Sequence, residues 1–194
     1  LDFAAKARSF DIDGVEYVNS FFKDKAKDKA YLNEMNKRAD QEGVKNVLIM
    51  IDGEGQLATT DDKKRTEAVE NHYKWVDAAV HLGCHAIRVN AAGDGFCISR
   101  GKDAEGKTIC TEEYDKYKGV ELMMPYAKAV SAKSHDFDAN GNETKIDYTK
   151  MMSFVKDAGY TGYVGIEFEG GNVSEEEGII LTRDLLKKVG ASMS

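Results

Sequence analysis

The chain has 194 residues, 42% of them hydrophobic, and a formal net charge of −7 at pH 7. This length predicts a single domain with a proper core, and the acidic balance argues against nucleic acid, which requires a basic surface. No apolar stretch is long enough to cross a membrane. The 3 cysteines, an odd number without metal-type spacing, fit thiols in a reducing compartment.

Apolar runs that stop at polar residues recur along the chain. Four of them carry a glycine near their start, at 13–19, 42–54, 82–90 and 158–170, and a fifth at 128–138 ends in the same way without the glycine. Buried parallel strands have this pattern, and the carboxyl ends of such strands hold binding and catalytic groups. The polar endings are therefore candidate site residues: Asn19, Asp52, Glu54, Asn90, His135 and Glu167.

Helical patterns separate these runs. Steps of four, three and four join Val69, Tyr73, Val76 and Val80, which predicts an amphipathic helix over 61–82 that stops at Gly83. Further helices are predicted over 26–42, over 147–158 with Asp147 as N-cap, over 174–189 with Ser174 and Glu177 in capping-box spacing, and as shorter segments over 2–10 and 112–127.

Alternating helices and strands predict a parallel α/β sheet with right-handed crossovers. The sheet could be a barrel or doubly wound, and the first strand, EYVNSFF, lacks the glycines of a dinucleotide-binding turn, which favours the barrel. Residues 91–111 carry four glycines and no helical pattern. This region could be a functional loop over the site, or it could be a surface excursion or hairpin without a function.

Three segments resemble the sugar phosphate isomerase/epimerase family of xylose isomerase-like TIM barrels: HYKWVDAAVHLGCHAIRVNA, KGVELMMPYAKAVSAKSHDFD and DYTKMMSFVKDAGYTGYVGIEFEG. The resemblance extends over almost the whole chain. It implies an eight-stranded barrel that holds a divalent cation (Mn²⁺, Mg²⁺ or Co²⁺) through two glutamates, an aspartate and a histidine. It also implies proton transfer on a sugar, sugar phosphate or polyol.

The chain departs from the family pattern in two places. It starts inside the first helix at Leu1, and only AAGDG stands where relatives carry the fifth and sixth strands with their helices. We therefore expect a single domain over 1–194 that is a partial barrel of about five strands, with a junction near 91–96. The absent strands would carry one metal-binding glutamate and the metal-binding aspartate, and Asp94 could be a remnant of the aspartate. Either the sequence given omits pieces of a larger protein, which we favour, or the chain is a truncated form whose open sheet edge needs a partner chain or a rearranged sheet.

The resemblance assigns roles to the late strands. Glu167 matches the glutamate that binds metal and exchanges a proton, with Glu169 in support, and a solvated or ion-paired glutamate at a strand end is the alternative for Glu167. Lys133 is expected to stabilise a developing oxyanion or contact a phosphate, and a buried ion-pair partner is the equal alternative. In many relatives the histidine ligand stands two residues before this lysine, where the chain has Ser131. His135 is therefore the candidate second metal ligand or a substrate contact, with a structural role as the alternative.

Arg88 and Asn90 end the strand HAIRVN and are the remaining candidate substrate contacts, since a guanidinium binds phosphate or carboxylate well. Packing at the barrel rim is the alternative for Arg88. Together the residues predict a metal-dependent isomerase or epimerase acting through an enediolate, impaired because its second acid or base belongs to a missing strand. A non-catalytic carbohydrate-binding barrel is the alternative function. A homo-oligomer in the cytoplasm, after removal of any leader peptide, is the default expectation.

Overall fold

The computed structural model of the chain describes residues 1–90, 97–113 and 115–193. The chain divides into two compact units, Leu1–Gly95 and Phe96–Ser194. The predicted junction near 91–96 and the candidate Asp94 lie outside the described residues. No helix in the described ranges is long and apolar enough to span a membrane.

The first unit is a three-stranded parallel sheet with helices packed on it. The strand order is β1-β2-β3, and both neighbouring pairs are parallel, as the sequence predicts. Its elements are α1 (Phe3–Ser9), β1 (Gly14–Val18), a 3₁₀ helix (Asn19–Lys25), α2 (Lys29–Glu42), β2 (Lys45–Ile51), α3 (Asp62–Leu82) and β3 (Ala86–Val89).

Aromatic and aliphatic side chains fill the core of this unit. Trp75 and Ile49 are completely buried, and the ring of Phe22 meets the Trp75 ring edge-on, with their centroids 5.3 Å apart. Buried aromatic rings remove large apolar areas from water, and edge-on packing adds to this. Cys84 packs against the same core, and burial raises its pKa to about 12, which agrees with its predicted role as a packing residue.

The face of α3 that packs inward differs from the sequence prediction. The helix itself is confirmed, with Asp61 as N-cap and Gly83 ending it in the left-handed conformation. However, Val69, Tyr73, Val76 and Val80 are exposed, at 39%, 59%, 42% and 74%. The buried face consists of Ala68, His72, Trp75, Ala78, Ala79 and Leu82. Small alanine side chains allow the helix to approach the sheet closely, so the helix buries these residues instead of the valine stripe.

The second unit combines an antiparallel hairpin with a two-stranded parallel sheet, β6-β7. The hairpin occupies the glycine-rich region for which the sequence left a functional loop or a hairpin open. Its elements are β4 (Cys97–Lys102), β5 (Thr108–Glu113), α4 (Lys116–Met123), a 3₁₀ helix (Met124–Tyr126), β6 (Val130–Ser134), α5 (Tyr148–Asp157), β7 (Val164–Phe168) and α6 (Glu175–Ser192).

Helix caps in this unit follow the sequence signals. The Asp147 side chain accepts a hydrogen bond from the Lys150 amide at 3.0 Å, and the Ser174 hydroxyl accepts one from the Glu177 amide at 3.2 Å. Each satisfies an amide that the first helical turn leaves unpaired. The helices cover one face of β6-β7 through Ala132, Tyr148, Leu185 and Val189. The opposite face of these strands is therefore free to carry polar residues.

Candidate functional site

Lys133 and Glu167 are opposite each other on the neighbouring strands β6 and β7. Side chains alternate between the two faces of a strand. Ala132 and Ser134 are buried, whereas Lys133 is partly exposed on the other face. The pairing is parallel, so both strands end at the same edge, as the sequence predicts for the segments that carry His135 and Glu167.

The Lys133 ammonium lies between two carboxylates. Its Nζ is 3.3 Å from Oε1 of Glu167 and donates a hydrogen bond to Oε1 of Glu169 at 2.9 Å. The hydrogen bond to Glu169, followed by the attraction of Glu167, raises the pKa of Lys133 above its ordinary value of 10.5. Lys133 is therefore a cation at neutral pH, and it is placed to donate to a further oxygen.

Glu167 is held on both carboxylate oxygens. Oε1 faces the Lys133 ammonium, and Oε2 accepts a hydrogen bond of 2.9 Å from the Ser131 hydroxyl. The Glu167 side chain is 22% exposed. A partly shielded carboxylate with fixed orientation is a suitable acid or base for proton transfer, because its position relative to a bound substrate is defined.

His135 follows the last residue of β6 and begins a tight loop. Its backbone amide donates to Oε1 of Glu143 at 3.2 Å, and Oε2 of Glu143 accepts the Lys145 amide at 2.6 Å. Glu143 is buried and organises this loop. Sequence reasoning missed it, although the turn residues in DANGNE just before it were a usable signal. His135 thus has a fixed backbone at the strand edge, and its predicted ligand or substrate role stays a prediction.

Gly170 allows the chain after β7 to pass close to His135. A Cβ atom on Gly170 would lie 1.8 Å from the backbone carbonyl oxygen of His135, which no side chain tolerates. The neighbouring Asp136 bonds to Lys145, which lowers the pKa of the Asp136 carboxyl, and accepts a hydrogen bond from Asn172 at 2.6 Å. The backbone on this edge is therefore tightly packed.

The described residues near Glu167 do not fit a divalent cation well. They contain no group of three or more His, Cys, Asp or Glu side chains arranged to hold a metal ion. Hard cations such as Mg²⁺ and Mn²⁺ need several oxygen ligands, and an ammonium and a hydroxyl already contact the two oxygens of Glu167. The metal-ligand roles of Glu167 and His135 stay predictions.

A groove of about 660 Å³ runs beside β6 in the second unit. Ser131 and Lys133 line it together with mostly apolar side chains, including Met123, Tyr126 and Tyr148. Apolar walls with few polar groups are common in small-molecule sites. The Tyr148 hydroxyl donates to the backbone carbonyl of Lys133 at 2.9 Å, so one wall of the groove holds the lysine backbone in place.

The carboxyl edge of the sheet in the first unit carries a second polar cluster around Asp52. The buried Asn19 side chain donates to the Asp52 carbonyl at 2.9 Å and accepts from the Asp52 amide at 3.0 Å. The nitrogen and the oxygen of the Asn19 side chain thus both bond to the Asp52 backbone, just after β2. Asn19 therefore ties the ends of β1 and β2 together, and it has a structural role.

Arg88 and Asn90 approach the Asp52 side chain from β3. Asn90 donates to Oδ1 of Asp52 at 2.6 Å, and a terminal nitrogen of Arg88 is 3.6 Å from the same atom. Within the described residues, the buried Nε of Arg88 has no hydrogen-bond partner. A buried donor without a partner is costly and calls for an explanation. A carboxylate, an amide and a guanidinium together offer the donors and acceptors that sugar hydroxyls need.

Glu54, the remaining polar strand ending, is a structural carboxylate. It is buried and accepts hydrogen bonds from the Trp75 indole at 2.7 Å and the Lys74 ammonium at 3.0 Å. Burial alone would raise the pKa of Glu54, but the hydrogen bonds from Lys74 and Trp75 outweigh burial, so the pKa lies below its ordinary value of 4.5. Glu54 therefore stabilises the core of the first unit.

The architecture of this chain is similar to that of a protein of known structure. No family model matches the sequence. A solved structure of D-psicose 3-epimerase from Clostridium cellulolyticum H10 with D-tagatose superposes with a TM-score of 0.58 at 14% identity, over 96% of this chain and 92% of that one. The chain shares the fold of D-psicose 3-epimerase. The likeness supports the α/β fold with parallel strands that the sequence predicts.

Two other similarities are weaker. A D-psicose 3-epimerase structure in the presence of D-fructose has a TM-score of 0.40 at 15% identity, over 87% of this chain and 56% of that one. The alpha subunit of 3'-dehydrocarminate deglycosidase from Microbacterium sp. is 30% identical over 78 residues, which is 40% of this chain and 21% of that subunit. The chain thus spans about a fifth of the length of this curated relative.

Proposed function

We propose that this chain is a sugar isomerase or epimerase that transfers a proton through an enediolate intermediate. The observation that carries the proposal is the contact between Lys133 and Glu167 at the carboxyl edge of two parallel strands. In this class of fold that edge is where catalytic groups stand. The similarity of the fold to a sugar epimerase supports the same reaction class.

The reaction needs a base and an oxyanion stabiliser. The Glu167 carboxylate removes a proton from the carbon next to the substrate carbonyl, and the electrons of that C–H bond form the carbon–carbon double bond of the enediolate. The Lys133 ammonium hydrogen-bonds the carbonyl oxygen as it becomes negative. Return of a proton to the opposite face of the same carbon gives an epimer, and return to the neighbouring carbon, the former carbonyl carbon, gives an isomer.

We propose His135 as a substrate contact beside Glu167 and Lys133, and we propose Arg88 and Asn90 as sugar contacts at the sheet edge of the first unit. A phosphate is compatible with Arg88, although the Asp52 carboxylate at 3.6 Å already balances this guanidinium. The divalent cation implied by the family resemblance supplies Lewis-acid stabilisation of an enediolate where it is bound. The described residues around Glu167 do not fit it, and so no step is assigned to it.

Turnover is expected to be slow. The sequence lacks the stretch in which relatives carry the fifth and sixth strands, and we propose that these two strands are absent from the barrel that the given residues form. Relatives place their second acid or base on the missing fifth strand. A single carboxylate can remove a proton and return it to the same face, so proton exchange should be faster than net epimerisation.

Solvent exchange tests the proposal directly. The protein is incubated in D₂O with D-fructose or D-tagatose, and loss of the C3 proton signal is followed by NMR. We expect exchange above the buffer rate that Glu167→Gln abolishes, while Glu169→Gln, which keeps Glu167, retains a measurable rate. Equal exchange by the protein and Glu167→Gln would contradict the proposal.

A non-catalytic carbohydrate-binding protein is the second candidate. Ser131 at the family's histidine position and the Asp52, Arg88 and Asn90 cluster favour it, because hydroxyl recognition needs no metal. Calorimetric binding of a ketose without any proton exchange would select this function. Size-exclusion chromatography would test the homo-oligomer expected by default.

A further inference from the structure

The charges around Glu167 are arranged like those of an occupied cation site. Glu167 and Glu169 present Oε1 atoms to one point, and the Lys133 Nζ lies there at 3.3 Å and 2.9 Å. Two carboxylates and one ammonium leave a net charge of −1 on these three groups. The pair of glutamates thus already has a cation, and the chain itself supplies it.

Register and backbone packing determine where this ammonium lies. Lys133 pairs with Glu167 across the parallel ladder, so its side chain leaves the same face of the sheet as both glutamates. Its backbone carbonyl accepts the Tyr148 hydroxyl at 2.9 Å, on the opposite, buried side. The lysine is therefore fixed at its base, and its ammonium has two partners at its tip.

A divalent ion would have to displace or join this ammonium. Joining it would place like charges within a few ångströms, where repulsion is strong in a partly shielded site. The remaining oxygen of Glu167 accepts the Ser131 hydroxyl at 2.9 Å, so Ser131 uses its hydroxyl on the carboxylate. A serine hydroxyl is also a poorer ligand than the histidine that relatives carry at this position.

We infer that the Lys133 ammonium takes the place of the divalent cation, and that the site formed by Glu167 and Glu169 is metal-independent. The ammonium lies against Glu167, the predicted metal ligand, and against Glu169 beside it, and it supplies the positive charge that a developing oxyanion requires. Its catalytic consequence rests on the proposed function. The occupancy of the glutamate pair by Lys133 is independent of the proposed function.

Mn²⁺ binding tests the occupancy. Titrations of MnCl₂ followed by electron paramagnetic resonance compare the protein with Lys133→Gln, Lys133→Arg, Glu167→Gln and the Lys133→Gln/Glu167→Gln double variant. We expect the protein, Lys133→Arg and Glu167→Gln to bind Mn²⁺ equally weakly. Lys133→Gln frees both carboxylates and should bind at least tenfold more tightly, and the double variant should lose that gain.

Two results would overturn the inference. One is Mn²⁺ binding by the unaltered protein that Glu167→Gln weakens tenfold or more, and the other is a Lys133→Gln variant that binds no better than Lys133→Arg. Circular dichroism and amide NMR spectra establish that each variant is folded. If Lys133→Gln does not fold, the unaltered protein, Lys133→Arg and Glu167→Gln can still be compared. That comparison shows whether Mn²⁺ binds at Glu167.

Proton exchange with and without EDTA gives the second readout. We expect the same C3 exchange rate in both conditions, and at least a tenfold lower rate in Lys133→Gln than in Lys133→Arg. A rate that EDTA abolishes and Mn²⁺ restores would overturn the inference while leaving the proposed reaction intact. If no exchange occurs in any sample, the proposed function fails, and the Mn²⁺ titrations still decide what occupies the glutamate pair.

Discussion

The carboxylate of Glu54 accepts the indole N–H of Trp75 at 2.7 Å, although the two residues are 21 positions apart in the chain. Trp75 lies in the middle of α3 and is completely buried, and Glu54 follows the end of β2. Trp75 is the only tryptophan of the protein, so its fluorescence reports directly on this contact.

Removal of the Glu54 carboxylate should destabilise the first unit. Glu54→Ala leaves the Trp75 N–H in the core without its acceptor, which costs about 1–3 kcal/mol of unfolding free energy. Glu54→Gln keeps an acceptor oxygen and should cost about 1 kcal/mol, mainly through the lost attraction to Lys74. Urea unfolding followed by Trp75 fluorescence measures both. A Glu54→Ala variant as stable as the unaltered protein would show that the contact does not contribute to the free energy of unfolding.

The contribution of Glu54 should also depend on pH. Its pKa in the folded state lies below the ordinary value of 4.5, so the ionised form is favoured by folding. The stabilisation is therefore complete above pH 4.5 and is lost as the pH falls through the lower folded-state pKa. The stability difference between the protein and Glu54→Gln should shrink in urea titrations from pH 6 to pH 3. A constant difference over this range would contradict the prediction.

Local patterns predicted the elements of the fold well. The strands over 14–18, 45–51, 86–89, 130–134 and 164–168 match the apolar runs, because an apolar run bounded by glycines and polar residues has few alternatives to a buried strand. The caps at Asp147 and Ser174 are equally local signals. Single-domain organisation stays a prediction.

Contacts between distant residues were harder to predict. Periodicity identifies α3 as a helix, but the burial of Ala78 and Ala79 in place of Val76 and Val80 depends on the sheet against which the helix packs. Glu54 follows a strand in the same way as the candidate site residues do. Its structural role becomes visible only from its contact with Trp75 in the folded chain. For Lys133 the sequence left an oxyanion contact and an ion pair open, but which glutamates it contacts depends on strand register.

The buried hydroxyl pair of Ser134 and Thr182 should stabilise the second unit. The two oxygen atoms are 2.6 Å apart, both residues are completely buried, and Thr182 donates to the Gly178 carbonyl at 2.7 Å. Ser134 is therefore the donor to Thr182. Thr182→Val keeps the shape but removes the hydroxyl that pairs with Ser134, which should cost about 1–3 kcal/mol.

Thr182→Ser is the matched control for this pair. It retains the hydroxyl and loses one methyl group, so its cost should stay near 1 kcal/mol. Chemical denaturation followed by circular dichroism compares the two variants. The hydrogen bond has the predicted value only if Thr182→Val is clearly the less stable variant.

Two glycines of α6 should respond in opposite ways to alanine. A Cβ on Gly178 would lie 2.4 Å from the Phe168 ring of β7, so Gly178→Ala must push the ring away and should cost about 1–3 kcal/mol. Gly190 is exposed with open space around it, and Gly190→Ala should gain up to about 1 kcal/mol through helix propensity. Thermal unfolding measures both. An increase in thermal stability for both variants would show that helix propensity alone decides, and a decrease for Gly190→Ala would contradict its predicted gain.

Arg88 should contribute to sugar binding at the expense of stability. Within the described ranges its buried Nε has no hydrogen-bond partner, and its terminal nitrogen is 3.6 Å from Asp52, so the guanidinium is poorly satisfied without a ligand. Arg88→Met removes the unpaired donor and keeps the apolar stem, so the unfolding free energy should stay unchanged or rise by about 0.5–1 kcal/mol. Affinity for a ketose in calorimetry should fall at least tenfold. A variant that loses stability and keeps its affinity would assign Arg88 to packing at the sheet edge, the alternative that the sequence left open.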